Sequence, residues 1–307
     1  TFSIPLILSN IWFENKTDFR TYSTYAFDNS PLLEELVARN YKVNLYETSL
    51  IWESNKATEV DNLISVSSVQ NKVSNMKFIK EQTKYILFKY LPHFLKKYSK
   101  IETLDFSGGL ISYENRIFNW SNISNYQEIK DNDIEITEQK YFQFIHLEGA
   151  HYPINMNKNL ELTKNATYGG KVEASLTMVK VYLERLRKSG VYDNSVIIVM
   201  SDHGFGYEGE KHNDGRQNPI LFIKGVDEHH KLSYSDIPVS HTDLTDAYFE
   251  LLDGKKSYEL FSDIDSNRER RYLWYLFTAE NHMVEYVQNG YAWETDKMVA
   301  TGKEFNR

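Results

Sequence analysis

Short apolar runs alternate with longer amphipathic stretches along this chain, and the two periods define its elements. Val196 to Met200 (VIIVM) is continuously apolar and rich in β-branched residues, the pattern of a strand buried on both faces of a helix-covered sheet. Tyr41–Tyr46 (YKVNLY), Lys140–Leu147 (KYFQFIHL) and the run ILFIK after Pro219 read as further strands. Helices fall between them. Ser30-Pro31 ahead of LLEELVARN supplies an N-cap and a first-turn proline. Residues 66–98 carry Val66, Val69, Val73, Met76 and Ile79 at helical spacing, with a break near Pro92. From Gly170 to Ser189, the positions Val172, Leu176, Val179, Leu183 and Leu186 recur at helical intervals, and Gly190 ends the helix. His241–Leu252 forms another helix, while residues 107–137 are polar, Asn-rich and aperiodic and predict a loop.

The succession of strand, helix and strand from 140 to 200 makes a βαβ unit, which implies a parallel pair with a right-handed crossover. The expected fold is α/β, a mostly parallel sheet between helices. From about residue 268 the pattern changes to aromatic-rich strands, Arg271-YLWYLF and His282-MVEYV. Gln288-Asn289-Gly290 ahead of YAWET carries the Asn-Gly signature of a tight hairpin. The chain therefore divides into an α/β domain over 1–267 and a small antiparallel C-terminal subdomain over 268–307.

Composition narrows the class. The 307 residues are 41% apolar with a net charge of −8, ample for a large core and poorly suited to nucleic acid as the main partner. Cysteine is absent, which excludes disulfides, a Cys-ligated zinc and a Cys nucleophile within these residues. No apolar run reaches the ~18 residues that a membrane span needs. The chain opens mid-pattern, at Thr1-Phe-Ser-Ile-Pro-Leu-Ile-Leu-Ser9, and reads as a piece of a longer polypeptide.

Candidate chemistry collects where the strands end. Asp202 and His203 follow the VIIVM strand directly, at the carboxyl end where ligands of open α/β sheets bind. A carboxylate beside an imidazole suits a divalent ion that accepts mixed oxygen and nitrogen ligands, Mn²⁺ or Zn²⁺. Gly204, Gly206 and Gly209 allow sharp backbone turns beside it. An ordinary strand exit whose Asp caps the next element fits the same residues. His146 stands at the carboxyl end of the 140–147 strand and His151 just beyond it; His146 also fits a satisfied core histidine, and His151, beyond the strand and two small residues, fits a functional one better.

The succession HLEGAHYP, a helix, GVYDNSVIIVMSDHG, a histidine at 212 and HTDLTDAYFELLDG resembles the alkaline-phosphatase/sulfatase superfamily. Within it the chain is most similar to membrane-anchored envelope transferases: lipoteichoic acid synthases and other phosphoglycerol transferases, and phosphoethanolamine transferases. The resemblance runs over about 140–255, is weaker for 1–47 and does not extend to 50–135. It implies that Asp202 and His203 are metal ligands, and that His151 contacts the transferred phosphate group or a second metal. It implies that His212 touches substrate and that His146 is the first histidine of a His-x4-His pattern. His241 falls in a segment usually structural in these families. Thr1–Ser9 looks like the segment that follows the nucleophile, which places that nucleophilic Thr just before Thr1, or at Thr1 itself.

What the resemblance implies is a metal-dependent phosphotransferase. A phosphoglycerol head group would pass from a phospholipid donor to an envelope glycan or polymer acceptor through a Thr-linked intermediate. Mn²⁺ or Zn²⁺ is the implied cofactor, the location is extracytoplasmic, and the membrane anchor would lie in an N-terminal segment absent from this sequence. With the nucleophile and an acidic ligand upstream of Thr1, the chain alone is expected to be inactive. Phosphoethanolamine transferase, sulfatase, and a non-catalytic binding remnant of the same fold are the alternatives.

Overall fold

The computed structural model describes residues 2–46, 55, 59–61, 75–99, 122–131, 134, 136–147, 149–151, 154–204, 217–276 and 282–306. Its N-terminal helix α1 (Ser3–Ser9) is apolar on nearly every side and is accordingly buried from Ile4 to Ser9. Helix α2 (Phe19–Asp28) starts at Asp18, whose carboxylate accepts the amides of Arg20 and Thr21. Helix α3 (Pro31–Ala38) has the expected Ser30 cap and N1 proline. The buried Ser30 hydroxyl does double duty, accepting from the Leu33 amide (3.1 Å) and donating to the Leu8 carbonyl (2.5 Å), which ties α3 to α1.

Strand β1 (Tyr41–Tyr46) buries Val43 and Leu45 and pairs in parallel with β2 (Lys140–Ile145), from Tyr41 opposite Lys140 to Tyr46 opposite Ile145. The amide and carbonyl of Val43 turn the other way and are held by Asp61. Between the two strands lie α4 (Asn75–Tyr90), a 3₁₀ segment His93–Ser99 beyond Pro92, and α5 (Asn122–Asp131). The predicted helix start at 66–74 falls outside the described residues. Helix α5 occupies part of the stretch predicted to be a loop. Its own sequence is polar, but Tyr126 packs on Met156, Ala174 and Met178, and the guanidinium of Arg185 donates to the Lys130 carbonyl in its last turn. Tertiary packing rather than local period makes this helix.

Helix α6 (Tyr168–Lys188) follows, capped by the Thr167 hydroxyl and ended by Gly190 at φ +76°. Its deepest face is Lys171, Ala174 and Met178, while Leu176 of the predicted apolar stripe is exposed. Strand β3 (Ile197–Met200) pairs antiparallel with β4 (Leu221–Lys224), Ile197 opposite Lys224 and Met200 opposite Leu221. The parallel partner of β2 is therefore β1, and β2 and β3 are not hydrogen-bonded neighbours as the βαβ reading implied. β3 is half-buried along its length rather than sealed on both faces.

One core nonetheless gathers these elements. Ile4, Ile7 and Leu8 of α1, Leu32, Leu33 and Leu36 of α3, Val43 and Leu45 of β1 and Leu244 form its centre. Phe142 and Phe144 of β2, Met200 of β3 and Leu221 of β4 pack against it, so the carboxyl ends of β2 and β3 are positioned by a common scaffold. Helix α7 (Leu244–Leu252) covers this core with Leu244 and a neighbouring one with Ala247 and Leu251, on which Val196 and Ile198 rest.

The C-terminal strands β5 (Glu269–Leu276), β6 (His282–Asn289) and β7 (Met298–Asn306) form a separate antiparallel sheet in that order. The architecture is thus a mixed α/β fold with a parallel pair and a small antiparallel C-terminal sheet. Met283 and Phe305 share a core with Phe13, Tyr22 and Ala26, so the sheet rests on α2. The Asn289-Gly290 signal marks a turn, but YAWET is not the next strand. The Gln288 amide donates to the carbonyls of Tyr291, Ala292 and Glu294 and holds a longer connection before β7 begins at Met298. Among the described residues no helix is long and apolar enough to cross a membrane.

Candidate functional site

The exit of β3 is fixed on both sides. The Ser201 amide donates to the Ile220 carbonyl, and the Ser201 hydroxyl accepts from the Ile220 amide, both at 3.2 Å. This clamp extends the β3–β4 pairing by one residue and turns Asp202 and His203 out of the ladder, half-buried. His203 Nδ1 lies 2.7 Å from the Gly204 carbonyl. A carbonyl can only accept, so Nδ1 carries a proton, and in the neutral ring Nε2 is the nitrogen that holds the lone pair.

That lone pair has no proton to receive from its neighbour. His203 Nε2 and Asp202 Oδ2 stand 3.7 Å apart, too far for a hydrogen bond. Two ligands of one tetrahedral ion at ~2.0–2.2 Å lie roughly 3.3–3.6 Å from each other, close to this separation. A ring nitrogen freed by a Nδ1–H bond to backbone is also how metal-binding histidines are commonly oriented. The donor set, one carboxylate oxygen and one imidazole nitrogen, fits Mn²⁺ or Zn²⁺. It supplies two ligands. The described residues hold no group of three or more His, Asp or Glu side chains placed to share an ion.

A third group, in a segment usually structural in the families this sequence resembles, lies against this pair. His241 makes a backbone hydrogen bond to Ser201 and feels the charges of both Asp202 and His203. Burial lowers its pKa, the Ser201 bond and Asp202 oppose that, and His203 adds to it. Its Nε2 is buried with no hydrogen-bond partner among the described residues. The position is rigidly held. The Ser240 amide donates to Asp243 at 2.6 Å in a capping box at the turn 241–243, and both nitrogens of the Arg268 fork reach the Asp243 carboxylate. Helix α1 packs against this same turn and against α7.

His146 sits one residue past β2, half-buried, and its amide continues the parallel register by donating to the Tyr46 carbonyl at 3.0 Å. His151 lies on the following loop and is exposed. Its carbonyl accepts from the ammonium of Lys171, a lysine only 1% exposed in the first turn of α6. Lys171 thereby anchors the His151 loop to the helix. Neither the lysine nor His241 was marked by sequence period, because each draws its role from a partner distant in the chain. Asp202, His203 and His241 are brought together; Thr1 and His212 fall outside the described residues.

Comparison with known proteins places the fold and little else. No protein-family model matches the chain, and no curated protein matches it. Among solved structures the chain is similar to a protein in the alkaline phosphatase superfamily from Vibrio parahaemolyticus, with a TM-score of 0.50 and 13% identity. The match covers 89% of this chain and 63% of the other, so the chain spans less than two thirds of that protein's length. At this identity the likeness is one of fold.

Proposed function

We propose that this chain belongs to a metal-dependent phosphotransferase that moves an alcohol-phosphate head group, phosphoglycerol in the first instance, from a membrane lipid to an envelope glycan or polymer. One observation carries the reading: His203 Nε2 and Asp202 Oδ2 face each other at 3.7 Å with the imidazole proton tied to the Gly204 carbonyl. The likeness in fold to a protein of the alkaline phosphatase superfamily agrees with phosphoester chemistry in general. The motif resemblance to phosphoglycerol transferases supports the finer assignment.

In this reading Asp202 and His203 hold a divalent ion, with its remaining ligands supplied by residues outside the described part. The ion would act as a Lewis acid that makes a threonine hydroxyl nucleophilic at neutral pH. Asp202 supplies negative charge, and the Gly204 carbonyl holds His203 with Nε2 turned to the ion. His146 and His151 are the candidates for hydrogen bonds to the phosphate oxygens, and His212 for contact with substrate. The nucleophile is a Thr just before Thr1, or Thr1 itself, and the head group rests on it before an acceptor hydroxyl takes it. An extracytoplasmic location and an anchor preceding Thr1 complete the proposal.

The test compares this chain with a form extended upstream of Thr1, each with Mn²⁺ and a fluorescent phosphatidylglycerol, following release of diacylglycerol. Release by the extended form, lost on replacing its Thr, supports the proposal. Equal release by the short form moves the nucleophile to Thr1. If neither form acts on this lipid, phosphoglycerol transfer is wrong, and turnover of phosphatidylethanolamine or an aryl sulfate would select the corresponding rival.

A further inference from the structure

Residues 82–99 differ in chemistry from the rest of the chain. They hold four lysines and no acidic residue, and α4 and the 3₁₀ segment together, 75–99, hold six lysines against the single acid Glu81, in a protein of net charge −8. They also carry large apolar side chains that the fold leaves in water. Tyr90 is 73% exposed, Phe94 72% and Tyr98 63%, and one turn earlier Ile86 and Leu87 are exposed as well. On α4, Ile79, Ile86 and Tyr90 fall at i, i+7 and i+11, a single stripe of the kind that normally faces a core. Among the described elements the main neighbour of α4 is the 3₁₀ segment that follows it. An exposed apolar stripe of this extent, outside every core of the described residues, marks an interaction surface.

The lysines identify the partner. Their ammonium groups lie over the rings of this same surface: Lys89 5.5 Å from the centre of Tyr90, Lys96 5.0 Å from Phe88 and Lys97 5.0 Å from Tyr98. Protein–protein interfaces are depleted in lysine. Helices that lie in the plane of a bilayer combine aromatic and aliphatic anchors with lysines, whose stems follow the apolar surface while their charges reach lipid phosphates. Tyrosine, apolar in body and polar at the tip, suits that boundary. We propose that α4 and the 3₁₀ segment after it form a docking surface for an anionic lipid bilayer. Ile79, Ile86, Tyr90 and Phe94 enter the acyl boundary, and Lys89, Lys96 and Lys97 contact the headgroups. The proposal stands on these residues alone, so membrane binding and head-group chemistry can fail separately.

The experiment is sedimentation of the intact chain with vesicles of mixed phosphatidylglycerol and phosphatidylcholine, and with phosphatidylcholine alone. Binding to the anionic vesicles that weakens with added salt is expected, with little to the neutral ones. Each lysine near such a surface strengthens binding about fivefold, so the triple change Lys89→Glu, Lys96→Glu and Lys97→Glu should weaken it by at least a hundredfold. A second variant, Tyr90→Ser with Phe94→Ser and Tyr98→Ser, should also detach the chain while its melting temperature stays unchanged, because these side chains are exposed. No binding of the unaltered chain, equal binding to both vesicle types, or binding indifferent to both variants would overturn the proposal. Loss of a dimer in the serine variant, measured by analytical ultracentrifugation, would assign the surface to a second copy of this chain instead.

Discussion

The C-terminal sheet and the exit of β3 both bring polar side chains out of water, and they treat them in opposite ways. In the sheet, Glu285 is 1% exposed, yet its carboxylate is fully engaged. One oxygen accepts from two nitrogens of Arg271 at 3.0 and 2.6 Å, the other from Lys303 and Thr301, each at 3.1 Å. Arg271 is itself stacked 4.5 Å above Trp12 and bonded to Glu14. At the exit of β3, Asp202 and His203 face each other without bonding, and His241 Nε2 is buried without a partner among the described residues. A closed network specifies structure; a convergent set with lone pairs unused is what a ligand completes. A single unpaired atom is weaker evidence. Arg270 Nη1 is also buried without a partner among the described residues, but its guanidinium is already held by Tyr272 and Gln288.

Substitution separates the two regions most sharply at Asp202 and His203. In the upstream-extended form, Asp202→Ala or His203→Ala should lower head-group transfer by roughly 10³-fold, about 4 kcal/mol of transition-state stabilisation. The melting temperature should stay within about 2 °C, since neither side chain closes a network. Transfer that survives both changes would leave the pair as an ordinary strand exit. In the sheet the balance reverses. Glu285→Ala strands Arg271 and Lys303 and should cost about 3 kcal/mol in a denaturant titration, at the low end for a broken buried pair because both cations reach solvent. Mn²⁺ binding should be untouched by that change.

The closed networks also predict an acid limit. Burial alone pushes the Glu285 carboxyl up, but the bonds from Arg271 and Lys303 outweigh it and hold the group below its ordinary value of 4.5. Glu228 follows the same logic: burial raises it, and the hydroxyl and amide of Ser257 with the Gly225 amide more than offset that. A carboxyl depressed in the folded state contributes its stability above the unfolded value and loses it as pH falls through the folded one. Through these two groups the melting temperature should be flat in the neutral range and decline below about pH 4.5. Glu285→Gln should make the decline shallower. An equal slope in the variant would show that the network does not set the limit.

Much of this contrast was legible in the sequence, on one side more than the other. Period located β1, β2, β4 and α6 to within a few residues, but only β1 buries the face its spacing defines, Val43 and Leu45, whereas α6 turns Lys171, Ala174 and Met178 inward. Asp202 and His203 stood out because they follow an apolar run directly. Period failed where a distant residue decides the structure. Helix α5 forms in an Asn-rich stretch because Tyr126 docks on α6. The turn after Asn289-Gly290 lengthens because the Gln288 amide collects three carbonyls. The pairing of β3 with β4 rather than β2 is a matter of tertiary arrangement, which strand composition does not encode. Lys171 and His241 were missed for the same reason: a buried lysine and a buried histidine look like surface and core residues until their partners are in place.

His241 offers the finest test of the comparison, since there stability and function should part. Replacing it with leucine removes a buried nitrogen that has no partner among the described residues, a group whose desolvation costs about 1–3 kcal/mol. The same change loses one backbone hydrogen bond to Ser201, worth about 1 kcal/mol. Leucine fills a similar volume, and the Ser240–Asp243–Arg268 clamp is untouched. The net effect on stability is therefore close to zero or favourable. Function should move the other way. His241 packs against the segment that carries Asp202 and His203, so its loss should weaken Mn²⁺ binding by roughly tenfold, the size of effect typical of groups that orient metal ligands. Calorimetric titration with Mn²⁺ beside a thermal melt of His241→Leu reads both. A variant that binds the ion normally but melts early would make His241 a core residue of the closed kind, and would move the boundary between the two regions to Asp202 and His203 alone.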